Sequence, residues 1–571
     1  MIASSGRNRL LASITLLSAV ALIYAQVSEF SFINFDDPHY VYDNPRVTSG
    51  LSWSNLAWAF QNTSSGHWQP GAWLSHMLDC SLFGLNAGAQ HLVSVAIHAT
   101  NALLLFFLLS RSTHALGLSL VAAAIFALHP LRIESVAWVS ERKDVLSMFW
   151  GLLAIHSYVS FVQSRRKLWY AALVICMGIS LLCKPTFVTL PFLLFAFDLF
   201  PLKRTEASLA HLLKEKAPLL VLSILFSLVA LYGQHSSGGL QATDEYPLTS
   251  RLASAAVGYL IYTFKFIAPW EFGIFYPFQD YSWALTSLSI VILATISWLS
   301  LRQWKRHPYI TSGWIWFTAS LLPLCGIIQI GGQSYADRWT YLPHIGLIVA
   351  ATWYTHEKLR PYPFLQYAIA LFAISAASCV TLQELPNWKD SESIYTRTLQ
   401  SRPRNFMAHM NLGLTLHDKG DVKQATSHLE QAYQLNPTYP EALNNLGLIR
   451  AQSGALEEAT SLFQQALKRR PTFIAARYNL GLALNNNGQR LAALAQWIVV
   501  LSIDPTYEKA RSSAARLIPY ITHTPCELLR SAEKADASAS IRELSGALDS
   551  WNPVQQDIPL KGRLLRVKKC I

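Results

Sequence analysis

The feature that most constrains this chain is a series of apolar runs, each close to the length that crosses a bilayer. They lie near 10–27, 91–110, 116–130, 144–163, 169–183, 186–200, 217–233, 284–301, 311–330, 342–355 and 364–381. A hydrocarbon core needs roughly 20 helical residues to span it. Lipid offers no partner to a backbone N–H or C=O, so each run must close its own hydrogen bonds as a helix. The expected architecture is all-α: a polytopic domain of about eleven transmembrane helices over residues 1–384. Composition agrees, because only 14% of the 571 residues are charged, against roughly 25% in soluble domains. Charges are sparse up to about residue 384 and ordinary after it. The first run follows Arg7 and Arg9 and shows no small-residue cleavage site, so it reads as an uncleaved span.

A net charge of +12 would suggest nucleic acid as the partner of a soluble protein. Here much of it sits in short loops between apolar runs, such as Arg165, Arg166, Lys167 and Arg302, Lys305, Arg306. That is the positive-inside pattern, and no nucleic-acid partner is expected. A cytoplasmic N-terminus puts the basic loops 111–114, 164–168, 201–216, 302–307 and 356–361 inside. The count works only if 251–268 does not cross completely, so that segment reads as interfacial or re-entrant. Residues 28–90, 129–143, 234–283, 331–341 and everything after 382 then share the outer face. This describes a multi-pass membrane protein with a cytoplasmic N-terminus.

After the spans the sequence repeats. Pro403, Pro437, Pro471 and Pro505 are 34 residues apart, as are Gly413, Gly447 and Gly481, and Asn-Leu-Gly-Leu recurs at 411, 445 and 479. This period is the tetratricopeptide signature, a solenoid of helical hairpins. The array is expected over 385–524, with three full repeats at about 405–506, a half repeat before them and a capping helix after. Residues 525–571 form a C-terminal tail whose end, 561–571, is basic. The seven cysteines show no metal or redox spacing, so neither a disulfide framework nor a zinc site is expected.

Three outer segments carry the residues suited to chemistry. Asp36 and Asp37 follow the first span beside His39. A carboxylate near a low-dielectric boundary is costly unless it is paired, hydrated or metal-bound, which makes one of the two a candidate base and the other an orienting group. Equally, Asp-Asp-Pro is good turn chemistry. The second segment, His129 to Asp144, is dense in charge, with Glu134, Arg142 and Asp144; its bland counterpart is an interfacial helix with internal salt bridges. The third holds Asp337, Arg338 and Tyr341. Arg338 suits a phosphate because guanidinium donates in pairs, and Lys184 is a second cation at a span end.

Together these stretches resemble a known family. Phe35 through Val41, His91 to His98, His129-Pro130 through Asp144, Ala336 through Pro343, and Asn387 through Glu392 before the repeats are similar to bacterial relatives of the transmembrane and tetratricopeptide-repeat-containing protein O-mannosyltransferases. The resemblance runs to about residue 510. It implies a GT-C type glycosyltransferase that takes a sugar from a polyprenyl-phosphate carrier on the non-cytoplasmic face. By that resemblance Asp36, Asp37 and Glu134 are catalytic, and Arg338, Arg142 and Lys184 bind the donor phosphate. His39, His129, Asp144, Asp337 and Tyr341 support them. The repeats would hold the acceptor protein, with Asn411, Asn445 and Asn479 either on its backbone or bonded within the repeats. A divalent cation, Mg or Mn, at Asp36 and Asp37 is left open. Two other classes remain: a non-catalytic membrane-anchored scaffold, and a lipid-linked sugar flippase or assembly factor. A scaffold does not need charges gathered in outer loops, and a flippase is expected to carry them inside its spans.

Overall fold

The computed structural model describes residues 2–63, 66–236, 239, 246–522 and 546. The tail expected at 525–571, with its basic end, lies outside them, apart from Gly546. The chain divides into two compact units, Met1–Pro403 and Arg404–Ile571.

The first unit is a bundle of long apolar helices. Among the described residues six are long and apolar enough to cross a membrane: Gly6–Glu29, Ala87–Thr113, Val139–Ser164, Leu209–Ser236, Trp283–Arg302 and Pro363–Trp388. A seventh arises if Leu116–Leu128 and Pro130–Ala137, bent by 59° at His129-Pro130, count as one. Shorter helices at Lys167–Cys183, Leu190–Leu199, Pro308–Leu321 and His344–Lys358 complete the bundle. Local sequence sets the ends. Asn86 and Ser282 cap helices by accepting from Ala89 and Leu285 N–H, and Pro308 and Pro363 stand at first helical positions, where no donor is lost. One two-stranded antiparallel ladder, Tyr276–Pro277 with Gln333–Tyr335, departs from an all-helical unit.

Side-chain contacts define two ends of this bundle. At one, Arg111 reaches Ser160 (2.9 Å) and Gln163 (2.6 Å), Tyr170 bonds the Glu215 carbonyl (2.8 Å), and His307 meets Glu357 (3.0 Å). These are the loops rich in Lys and Arg. At the other, residues near 36, 140, 184, 265, 276 and 338 meet. Both ends of the helix Leu248–Ile267 touch this second set. Tyr246, just before it, packs on Phe278 at 4.7 Å, and Lys265, in its last turn, pairs with Asp337 at 2.5 Å.

The helix Ser391–Ser401, expected as a half repeat, groups with the first unit. Tyr395 donates to the Asn34 carbonyl (2.6 Å), and Ser391 accepts from Asn34 N–H (2.8 Å). The second unit begins with three helical hairpins: Phe406–Asp418 with Val422–Leu435, Pro440–Gln452 with Leu456–Arg469, and Ile474–Asn486 with Arg490–Ile503. Glu508–Thr522 follows. Gly413, Gly447 and Gly481 explain the period. A Cβ there would stand 2.8, 2.8 and 2.3 Å from Leu429, Phe463 and Trp497 of the second helix, so only glycine permits the crossing.

Candidate functional site

The two adjacent aspartates have different environments. Pro38 starts a short helical turn, Pro38–Tyr42, directly after them. Asp37 is fully buried. Its Oδ2 accepts from Ile33 N–H (2.7 Å), and its Oδ1 accepts from Ser140 N–H (3.0 Å) and the Ser140 hydroxyl. It therefore ties the first loop to the second charged segment. Burial pushes its carboxyl up to about 6, with the Ser140 bonds pulling the other way. Asp36 is half-buried, and its carboxylate has no hydrogen bond or ion pair among the described residues. Burial raises it above the ordinary carboxylate range, opposed by the nearby Lys143 ammonium.

The second segment is not one continuous helix. Pro130–Arg132 and Val139–Glu141 are single tight turns around the short helix Ile133–Ala137, and Trp138 is extended. These breaks turn Glu134 and Glu141 onto one target. Arg338 donates its backbone N–H to Glu134 (2.7 Å) and its Nη1 to the same carboxylate, while its Nε lies 3.3 Å from Glu141. The Arg338 guanidinium also stacks over Trp138, 5.5 Å from the ring centre. Burial works against its charge, but Glu134 and Glu141 outweigh that and hold it firmly cationic.

Glu141 continues the network to Lys143 (3.0 Å) and Lys184 (3.1 Å), and Lys184 reaches Asp144 (2.6 Å). Asp144 also accepts from Ser135 (3.0 Å). Lys143 lies over the Tyr40 ring at 4.6 Å. The network is thus Glu134, Glu141 and Asp144 against Arg338, Lys143 and Lys184, with the unpaired Asp36 beside it. Arg338, Lys184 and Asp144 line a small cleft whose other walls include Met148, Phe187, Leu324, Trp339 and Leu342. Arg338 Nη2 has no partner among the described residues, so one edge of the guanidinium remains to donate.

Not every expected residue joins this cluster. Arg142 is fully buried and turned elsewhere: its Nε donates to Ser94 (2.9 Å), Nη1 to Asp79 and Ser75, and Nη2 to the Gln90 carbonyl. With each guanidinium nitrogen engaged it is a structural cation, which corrects its expected place on a donor phosphate. His129 braces the 59° bend, accepting from Leu131 N–H and stacking on Phe266. Asp337 is held by Lys265 (2.5 Å) and Tyr276 (2.6 Å). Tyr341 lines the cleft, with its hydroxyl on His98 (2.6 Å) and Asn101 (3.3 Å). His39 lies edge-on to Tyr40 and Trp73. Among the described residues no group of three or more His, Cys, Asp or Glu side chains is arranged to hold a metal ion. A cation at Asp36 and Asp37 would thus lack a third such ligand, and Asp37 already accepts on both oxygens.

In the repeats, Asn479 donates to Asn444 of the preceding repeat (2.9 Å), and Asn444 donates to Asn445 (3.0 Å). One of these amide bonds crosses between repeats and the other lies within one, and Asn411 is buried at the equivalent place in the first.

Sequence reasoning did not single out Ser140, Glu141 and Lys143 for roles, although the density of charge in their segment was the available signal. Lys265 was hidden inside a run read as apolar. His67 was missed outright. Its pKa is held down to about 3, chiefly by burial, with Lys143 and Lys184 adding to the effect.

A tetratricopeptide repeat family model matches residues 404–472. The human Protein O-mannosyl-transferase TMTC1 is 24% identical over 493 residues, covering 75% of this chain and 55% of its own. The Caenorhabditis elegans Protein O-mannosyl-transferase F38B6.6 is 24% identical over 456 residues, covering 76% and 64%. The chain therefore spans little more than half to two thirds of the length of these relatives, and the homology is distant. Among solved structures, YrrB, described as a TPR protein with an unusual peptide-binding site, is 19% identical with a TM-score of 0.22, covering 38% of this chain and 97% of its own.

Proposed function

We propose that this protein is a membrane glycosyltransferase that moves a sugar from a polyprenyl-phosphate donor to Ser or Thr hydroxyls of exported proteins. The observation that carries the reading is the unpaired, half-buried carboxylate of Asp36 beside a cation-lined cleft with apolar walls. The distant homology to proteins named O-mannosyl-transferases supports it.

In this reading Asp36 accepts the proton of the acceptor hydroxyl as that oxygen attacks the anomeric carbon. The bond from that carbon to the phosphate oxygen breaks, and its electron pair leaves with the lipid phosphate. Arg338 Nη2 and Lys184 stabilise the charge that gathers there. Asp37 positions the loop through Ser140. Glu134 and Glu141 hold Arg338 in place. Met148, Phe187 and Leu324 take the start of the prenyl chain. The repeats bind the acceptor protein through the surface that carries the Asn445–Asn444–Asn479 ladder.

The six long helices, the bent pair and the four shorter helices each cross the inner membrane, which makes eleven crossings. The helix Leu248–Ile267 lies along the outer face, and the basic loops are cytoplasmic.

The test is transfer in isolated membranes, with labelled polyprenyl-phosphate sugars and envelope-protein extracts. A general base contributes about 10²–10⁴-fold, so Asp36→Asn should lose that much while the protein accumulates normally. Asp37→Asn should keep most transfer per folded molecule. Full activity in Asp36→Asn would sink the assignment of the base. No transfer by the wild type from any donor would favour the scaffold instead.

A further inference from the structure

The helix Ser391–Ser401 follows the last long helix of the membrane unit and precedes the array in the chain. Ser391, Tyr395, Thr398 and Ser401 stand four, three and three residues apart, the spacing of one helical face. Tyr395 and Thr398 are fully buried, and Ser391 nearly so. An apolar stripe would be enough to dock a helix. A buried polar one must find hydrogen-bond partners, and here the partners are backbone atoms of two loops. The first loop carries Asp36. Asn34 N–H donates to Ser391 (2.8 Å), and the Tyr395 hydroxyl donates to the Asn34 carbonyl (2.6 Å), so both backbone groups of Asn34 are held. Just upstream, Ser31 N–H donates to the Lys389 carbonyl (2.8 Å). Burial pushes the Tyr395 phenol far above its ordinary value, and the nearby Asp36 and Asp37 add to the effect, so the hydroxyl stays a donor.

The second loop leads to Arg338. Thr398 accepts from Ile274 N–H (3.2 Å), and Ser401 donates to the Phe272 carbonyl (2.9 Å). Arg402, directly after the helix, pairs with Glu271 (2.7 Å), donates to the Tyr335 hydroxyl (2.5 Å) and lies over the Tyr276 ring, 5.0 Å from its centre. Tyr276 and Tyr335 stack at 4.4 Å, and Tyr276 donates to Asp337, the neighbour of Arg338 in the chain. Such support matters most for Asp36. Its carboxylate has no side-chain partner to hold it, so its place is set by its backbone, which is fixed at Asn34 on one side and at Asp37 on the other.

Given the glycosyltransferase reading, on which this rests, we propose that the helix Ser391–Ser401 braces the transfer site: Tyr395 positions Asp36 through Asn34, and Arg402 positions Arg338 through Tyr335, Tyr276 and Asp337. Both are positioning residues, since neither reaches the reacting atoms and each acts through others. The two act on different halves of the reaction, the base and the cation on the leaving phosphate, so their loss should leave different kinetic marks.

The test is steady-state transfer by the full-length protein, per folded molecule, with polyprenyl-phosphate mannose, or whichever donor the wild type uses, as the varied substrate. Tyr395→Phe removes one hydroxyl and keeps the ring. Its kcat should fall about 10- to 100-fold, as expected of a displaced base, with donor KM unchanged. Arg402→Gln should do the reverse, raising donor KM about tenfold with kcat retained. Arg402→Lys, which can still pair with Glu271, should recover most of that affinity. Ile394→Val, a buried change on the same helix that leaves these hydrogen bonds in place, should keep wild-type transfer. Should Tyr395→Phe fold poorly, Ser391→Ala, which frees the Asn34 N–H, should show the same loss of kcat in smaller measure. Matching losses in kcat and donor KM from Tyr395→Phe and Arg402→Gln would reduce the helix to a structural support and overturn the proposal. A wild type that transfers nothing removes the glycosyltransferase reading and the brace with it. A transferring wild type beside an unaffected Tyr395→Phe removes the brace alone.

Discussion

The two ends of the membrane unit each bury a cluster of charge, and they differ in how completely it is matched. At the basic-loop end, Tyr158, Asp198, Arg204, Glu215 and Lys216 close on one another. Arg204 bonds Asp198 (3.1 Å) and Glu215 (2.7 Å), Lys216 bonds Asp198 (2.6 Å), and the Tyr158 hydroxyl lies within 2.9 Å of both acids. Two acids face two bases, and each carboxylate is engaged. At the other end the network of Glu134, Glu141, Asp144, Lys143, Lys184 and Arg338 leaves Asp36 unpaired and one edge of Arg338 open beside a cleft. A saturated cluster can only hold helices together. An unsaturated one keeps groups ready for a substrate, at a cost in stability that the matched pairs around it offset.

Four experiments would break or sharpen this contrast. The largest expected effect is at the saturated end. Lys216→Met leaves Asp198 buried beside one cation fewer, and breaking such a pair costs about 3–5 kcal/mol. Thermal unfolding in detergent should shift strongly downward, while transfer per folded molecule stays at the wild-type level. Reduced transfer per folded molecule would join the two ends functionally.

Next is the pH response of Asp37. Its pKa is about 6 in the folded protein and about 3.9 in an unfolded chain. Between those values the folded state binds the extra proton, so stability rises as pH falls from about 6 to about 4 and is lost as pH rises through 6. At 1.36 kcal/mol per pKa unit the contribution is about 3 kcal/mol. Asp37→Asn should flatten this part of the stability curve. An unchanged curve would show that the buried carboxyl does not titrate there.

Smaller still is Arg338→Lys, which keeps the charge but loses the planar fork. Glu134 and Glu141 could no longer be held together with an edge to spare. Transfer should fall about 10- to 100-fold, or about 1.4–2.8 kcal/mol, with a rise in donor KM. Wild-type kinetics would remove Arg338 from the phosphate. The smallest effect belongs to Glu357→Gln, at a half-exposed pair with His307. Surface pairs contribute about 0–1 kcal/mol, and both stability and transfer should be nearly unchanged.

Much of this was readable along the chain. Apolar runs of spanning length, the 34-residue period and the placement of charge at span ends are local patterns, and local patterns survive in sequence. The contacts of Tyr246 and Lys265 bring both ends of Leu248–Ile267 beside the same set of residues. The charged segment from His129 to Asp144 stood out by composition. Its shape did not, because two tight turns and an extended Trp138 replaced the single helix on which face assignments depend.

What the sequence determined by itself was the kind of molecule: an apolar helical bundle whose connecting loops carry acids and cations, followed by an array of helical hairpins. Backbone hydrogen bonding in lipid and glycine contacts between paired helices leave little choice in either half. Tertiary structure decided the roles of individual residues. Asp36 and Asp37 are neighbours in the chain, yet one is spent on Ser140 and the other is open. Arg142 and Arg338 are equally basic, yet Asp79 takes the first into the interior, and Glu134, 204 positions away, turns the second to the cleft. Those outcomes depend on which helices pack side by side. A buried donor such as Arg142 or Arg338 pairs with an acceptor that is near in space, and periodicity along the chain carries no record of that neighbour.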